Sequence, residues 1–195
     1  MNAQRIGLVA AMIGLAACAA LGQTERREGR LDVAETHIRN VLRTSQRIGS
    51  EPDVARTISL SELGFIAEQR GDPAGSQSWH IQCLTAAQKL GDPQAVAQAL
   101  TGLAGAQVLG GQPDRAARLL GAADAAWRAT GAGLPPGDGA DASADVTRIT
   151  AVTRQALGEA AFAAEFERGR HLRPRQASLL LRHVYHGPRS RPPFL

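Results

Sequence analysis

The apolar positions of this chain follow a pattern that is clearest between Leu103 and Gly131, LAGAQVLGGQPDRAARLLGAADAAWRATG. It predicts a helix, a short turn at Gly110-Gly111-Gln112-Pro113 and a second helix closed by Gly131. The same arrangement occurs twice upstream. Gly29 and Gly49, Gly71 and Gly91, and Gly111 and Gly131 each stand twenty residues apart, and the first glycines recur after 42 and then 40 residues, the span of a two-helix repeat unit.

Positions inside the units agree. Seven residues before each turn glycine stand Gly22, Gly64 and Ala104, each preceded by a leucine (Leu21, Leu63, Leu103). A small residue there lets the first helix of a unit approach the second closely. Five residues past the turn glycine come Ala34, Ser76 and Ala116, and twelve past it Val41, Cys83 and Ala123, a stripe at helical spacing predicted to be buried. The closing glycines suit the left-handed position that ends a helix. Asp72-Pro73 and Asp92-Pro93 then restart helices, Asp as N-cap and Pro in the first turn.

These spacings divide the chain into hairpins over 13–49, 55–91 and 95–131. Gln4-Arg5-Ile6-Gly7 precedes Gly22 by the same fifteen residues that separate Gly49, in Gln46-Arg47-Ile48-Gly49, from Gly64. Residues 1–12 therefore read as the end of a truncated preceding repeat, with Gly7 closing a helix, and the chain as a fragment of a longer array. Leu15-Ala16-Ala17-Cys18 offers a different reading, a bacterial lipoprotein cleavage box. Cleavage there would halve a helix, and the apolar run is shorter than the ~20 residues of a membrane span. After Gly131 the pattern breaks into a Pro/Gly/Asp loop at 132–143, two capping helices within 144–171, and a basic tail at 172–195 that is expected to be disordered.

Composition fits closely packed helices: aromatic residues make up only 4% and the apolar mass is Ala and Leu. The formal charge of +4 belongs to the tail. Seven arginines follow Glu167 and no acidic residue does, so residues 1–167 hold 15 basic against 18 acidic residues. Nucleic-acid binding would therefore rest on the tail alone. Cys18 and Cys83 match no ligand spacing and read as two buried thiols of a cytoplasmic protein.

Candidate chemistry is sparse. His37 and His80 fall at adjacent positions of equivalent helices, but no Cys, Asp or Glu completes a metal set, so they read as partly exposed helix histidines. His183 and His186 lack a third ligand. Asp138, Asp141 and Asp145 lack the Glu that closes a calcium loop. Trp79 and Trp127, in successive second helices, read as packing residues. Lys89, the only lysine, stands in no phosphate-binding loop. The sequence thus predicts no catalytic, cofactor-binding or metal-ligating residue, no cofactor and no enzyme.

LTGLAGAQVLGGQPDRAARLLGAADAAWRATGAGLPP followed by TRQALGEAAFAAEFERGRHL resembles the C-terminal tetratricopeptide-like region of large actinobacterial transcriptional regulators, the ATP-binding LuxR-type and antibiotic-regulatory proteins. Arg115 to Ala123 and Ala156 to Gly169 carry the match; it is specific over about 95–170 and generic over 13–94. The resemblance implies an all-α, right-handed superhelix (solenoid) of about three tetratricopeptide-like hairpins with a C-terminal helical cap. It also implies a module that couples the sensing of a partner to an ATPase or a DNA-binding domain. Leu172-Arg173-Pro174-Arg175-Gln176, followed by Leu179-Leu180, faintly resembles the opening of a LuxR DNA-binding domain, but the Pro-rich stretch after Gly187 cannot form a recognition helix. The expected function is a non-catalytic protein–protein interaction or sensor module that binds a protein or peptide in its groove. The alternatives are a lipid-anchored or secreted helical-repeat protein, and a DNA-binding regulator acting through the basic tail.

Overall fold

A computed structural model of the chain describes residues 3–48, 54–130 and 142–172. Among the described residues all regular structure is helical: α1 (Ala3–Arg27), α2 (Leu31–Ile48), α3 (Val54–Gln69), α4 (Pro73–Leu90), α5 (Pro93–Leu109), α6 (Pro113–Ala129), α7 (Ala142–Leu157) and α8 (Glu159–Arg170). Each helix packs against its neighbour in sequence. The odd-numbered helices also touch one another in order, α1 to α3, α3 to α5 and α5 to α7, and α8 packs on α6.

One turn chemistry recurs four times. Gly29, Gly71, Gly91 and Gly111 all adopt positive φ, between +67° and +79°. At each, the glycine N–H donates to the carbonyl three residues back and the next residue's N–H to the carbonyl five back, as in Asp72 N–H to Ala67 O (2.9 Å) and Gln112 N–H to Gln107 O (2.8 Å). This closure satisfies the last carbonyls of a helix and needs a left-handed residue, which glycine supplies without steric cost. Asp72 and Asp92 then cap α4 and α5, accepting from Gly75 N–H (2.8 Å) and from Gln94 and Ala95 N–H (both 3.0 Å), with Pro in the first turn. Gly49 and Gly131, the other two expected closures, lie outside the described residues.

The register read from the sequence is the register of burial. Ala34, Ser76 and Ala116 are fully buried, and Val41, Cys83 and Ala123 nearly so. Gly22 faces Ile38, and Gly64 the His80 ring, across the interface between the two helices of its own hairpin; a Cβ at either would fall within 2.5 Å of that side chain. The first hairpin departs in one respect: Leu63 and Leu103 are buried, but Leu21 is 52% exposed. Leu63 and Leu103 lie on helices that pack against a preceding hairpin; among the described residues none stands before α1.

The helix end expected at Gly7 is not there. α1 runs unbroken from Ala3 to Arg27 and carries Gly7 inside it, since the run around Gly7 has no Pro and no capping residue to stop it. The two helices expected after the Pro/Gly/Asp stretch are present as α7 and α8, separated by Gly158 at φ +77°.

α8 docks on α6 through glycines on both sides. A Cβ at Gly121 would lie 2.0 Å from the Phe166 carbonyl oxygen, and one at Gly169 2.0 Å from that of Arg118, so the two backbones cross in direct contact. Around the crossing, Arg170 reaches the buried Asp124 (3.1 Å), Arg118 pairs with Glu165, and Phe162 stacks on Phe166 at 5.5 Å between centroids.

Candidate interaction face

The turn ends of α1 and α3 meet the first turn of α7 in a cluster of charges that the alternation of apolar and polar residues did not announce. Arg26 near the end of α1 donates from Nε to Glu62 (2.7 Å) on α3 and from Nη2 to Asp145 (2.8 Å) on α7. Arg148, one turn further along α7, makes a two-pronged pair with Glu68 (2.7 and 3.0 Å) and also reaches Asp145 (3.2 Å). Gln23 adds a donor to Glu62 (3.2 Å). Two guanidiniums thus face three carboxyl groups in a largely dry site. Burial opposes the charge of Arg26, but Glu62 and Asp145 more than offset it and hold its pKa above the usual range. For Arg148 the hydrogen bonds to Glu68 act first, and its pKa is raised as well.

Below the charges lies an aromatic floor. The Arg26 guanidinium sits 5.0 Å from the Phe65 ring centroid, and Phe65 meets the His80 ring edge-on at 4.7 Å. His80 is fully buried, wedged between the backbones of Gly64 on α3 and Gly102 on α5. Neither ring nitrogen has a hydrogen-bond partner among the described residues. Burial pushes its pKa down to about 3; the Asp145 carboxylate opposes that shift and the Arg26 charge reinforces it, so the ring is neutral at physiological pH. Gly105 makes comparable room for the Glu68 carboxyl against α5. A small cleft opens beside α7, lined by Phe65, Gln98, Thr101, Trp127, Asp145 and Val146.

These positions correct two expectations. His80 is no partly exposed helix histidine: it occupies the repeat position held by Ile38 and Leu120 in the flanking hairpins, an apolar register that buries whatever stands there. His37 is half-buried. The pair of buried thiols holds for Cys83 alone, whose Sγ donates to Thr57 O (3.3 Å) and whose pKa burial raises to about 12; Cys18 is exposed on α1. Of the tryptophans, Trp127 is buried and Trp79 half-buried under Arg39. Asp145 belongs to the first turn of α7 and serves the two arginines, whereas Asp138, Asp141, His183, His186 and the arginines from Arg173 onward lie outside the described residues.

Among the described residues no three His, Cys, Asp or Glu side chains converge as metal ligands, and no helix is long and apolar enough to cross a membrane. The residues missed from sequence are Arg26, Glu62, Glu68 and Arg148. A signal for two of them existed. Arg26 and Glu68 occupy the same repeat position, three residues before the turn glycine, where the third hairpin has Val108. A charge at a register that holds an apolar residue in the third hairpin marks a side chain with a partner elsewhere, Glu62 and Asp145 for Arg26 and Arg148 for Glu68. Comparison of the chain with protein-family models, with curated proteins and with solved structures gives no match.

Proposed function

We propose that the chain is a non-catalytic protein–protein interaction module that acts in the cytoplasm as the sensing arm of a bacterial transcriptional regulator. In this reading the hairpins form a right-handed superhelix of the tetratricopeptide type, and the odd-numbered helices supply the recognition layer. The observation that carries it is the succession of contacts from α1 to α3, α5 and α7, because helices laid side by side from successive hairpins give helical repeat arrays their extended binding surfaces. The repeated glycine closure supports the same reading, since identical turns give successive hairpins a common geometry. The link to regulators rests on the resemblance at Arg115–Ala123 and Ala156–Gly169. These stretches include Gly121 and Gly169, so the matching residues are those that fix the cap.

A photo-crosslinking residue at position 98, half-buried at the cleft, tests this reading in cells or lysate against the same group at position 85, exposed on α4. A discrete protein adduct from 98 that is missing from 85 is expected. Equal adducts from the two positions, or none from 98, contradict it.

A further inference from the structure

α7 is held unlike any other helix of the chain. Its buried residues are Asp145, Ile149 and Thr153, four apart on one stripe, while Val152 and most of its remaining positions face solvent. Its first turn is fastened by charge, through Asp145 to Arg26 and through Arg148 to Glu68. It also touches α6 and α8, its neighbours along the chain, less extensively than α8 touches α6. Twelve residues, 130–141, separate the end of α6 from the start of α7 in the sequence, and Gly158 separates α7 from an α8 that has its own seat on α6.

Lifting α7 takes the fully buried Ile149 out of the core but strands few charges. Arg148 is already 41% exposed, Arg26 keeps Glu62, and Glu68 passes from a guanidinium to water. Charged partners lose little when hydration replaces the pair, in contrast to apolar surface. The floor then uncovered consists of Phe65, Thr101 and Trp127, whose buried Nε1 has no partner among the described residues. Such a floor, aromatic at its centre with Arg26 and Glu68 on its rim, suits an amphipathic helix.

We propose that the face beneath α7 is a docking groove for an amphipathic helix of a partner protein, and that α7 is the groove's own intramolecular competitor. This rests on the interaction reading above and names its ligand. α7 supplies the pattern that the partner helix must reproduce: a carboxylate for Arg26, an arginine three residues later for Glu68, a branched aliphatic residue in the next position, and a small residue four further on. Because the groove accepts a partner only while α7 is away, the apparent affinity is the intrinsic one reduced by the open fraction.

The test uses the full chain and a fluorescent peptide of residues 142–158, with binding followed by anisotropy. Arg148→Gln loosens the resident helix through a largely exposed side chain, and Asp145→Asn does so from the buried end. Either variant is expected to bind the peptide at least about tenfold more tightly than the unaltered chain, and adding Glu68→Gln should reverse the gain. If neither variant binds more tightly, or if Glu68→Gln leaves the gain intact, the proposal is overturned. Should either variant unfold, circular dichroism shows it and the other decides. A chain that still crosslinks a partner from position 98 but ignores the peptide sinks the competitor model and leaves the interaction reading standing.

Discussion

α7 and α8 lie next to each other in sequence, and both pack on the preceding helices, yet the balance of forces that attaches them differs. α8 crosses α6 where two glycines bring backbone against backbone, with no side chain available to yield. α7 is fastened at its first turn by four charged side chains and, among its described residues, contributes Ile149 as the one fully buried aliphatic side chain, with Leu157 partly buried against the core. Close packing is lost all at once when its geometry is spoiled, whereas ion pairs can be exchanged for water. The cap therefore contains one fixed helix and one exchangeable helix, and the exchangeable one covers the face that the interaction reading needs.

The strongest way to break the comparison is at the fixed helix. Gly121→Ala or Gly169→Ala places a methyl group 2.0 Å from a carbonyl oxygen of the partner helix, so the helices must separate. A loss of about 3 kcal/mol, the upper part of the range for overpacking, is expected from chemical denaturation, with hydrogen-exchange protection lost in α8. A variant as stable as the parent would show that the helices do not cross at these glycines.

Acid probes the floor under α7. The unfolded His80 takes up a proton near its ordinary pKa of about 6.5, whereas in the folded chain burial keeps it neutral until about 3. Its contribution is therefore complete above about pH 6.5 and declines as pH falls toward 3, by about 1.4 kcal/mol per unit at most. His80→Leu installs the kind of residue found at this register in the flanking hairpins. It should flatten that part of the stability–pH curve and, at neutral pH, raise stability by about 1 kcal/mol, because two unpartnered buried nitrogens are removed. A variant whose acid response matches the parent's would assign the pH dependence to other groups.

The smallest global effect belongs to the charged fastening. Removing one partner of a buried ion pair ordinarily costs several kcal/mol. For Asp145→Asn the cost is capped at the free energy of seating α7, since the helix can lift and hydrate Arg26. We expect a loss of under about 1 kcal/mol of global stability, together with a clear loss of protection in α7. A large cooperative loss of stability would show α7 to be an integral part of the core.

The helices and the turns between them were legible in the sequence to a degree that the charged cluster was not. Glycines at one spacing, small residues at one offset and two Asp-Pro restarts are local signals, and each turned out to do the local work expected of it, at Gly71, Ala116 and Asp92 for example. Arg26, Glu62 and Asp145 come together from residues 36 and 119 positions apart, and no periodicity encodes such a meeting. His80 stood between these cases. Its ring type suggested a surface residue, and only its place in the repeat, level with Ile38 and Leu120, said that it would be buried. The repeat spacing places a helix end at Gly7, but the helix-forming residues around it carry α1 through that position.

The most direct measurement is native-state hydrogen exchange on the unaltered chain, with the amides of Ala142–Leu157 compared with those of Glu159–Arg170. If α7 is the exchangeable helix, its amides open locally and exchange well before those of α8, and the gap widens when salt weakens the part-exposed pairs of Arg148. If the two helices exchange together at the rate of global unfolding, at low and at high salt, then α7 does not leave its seat, and the face beneath it is core.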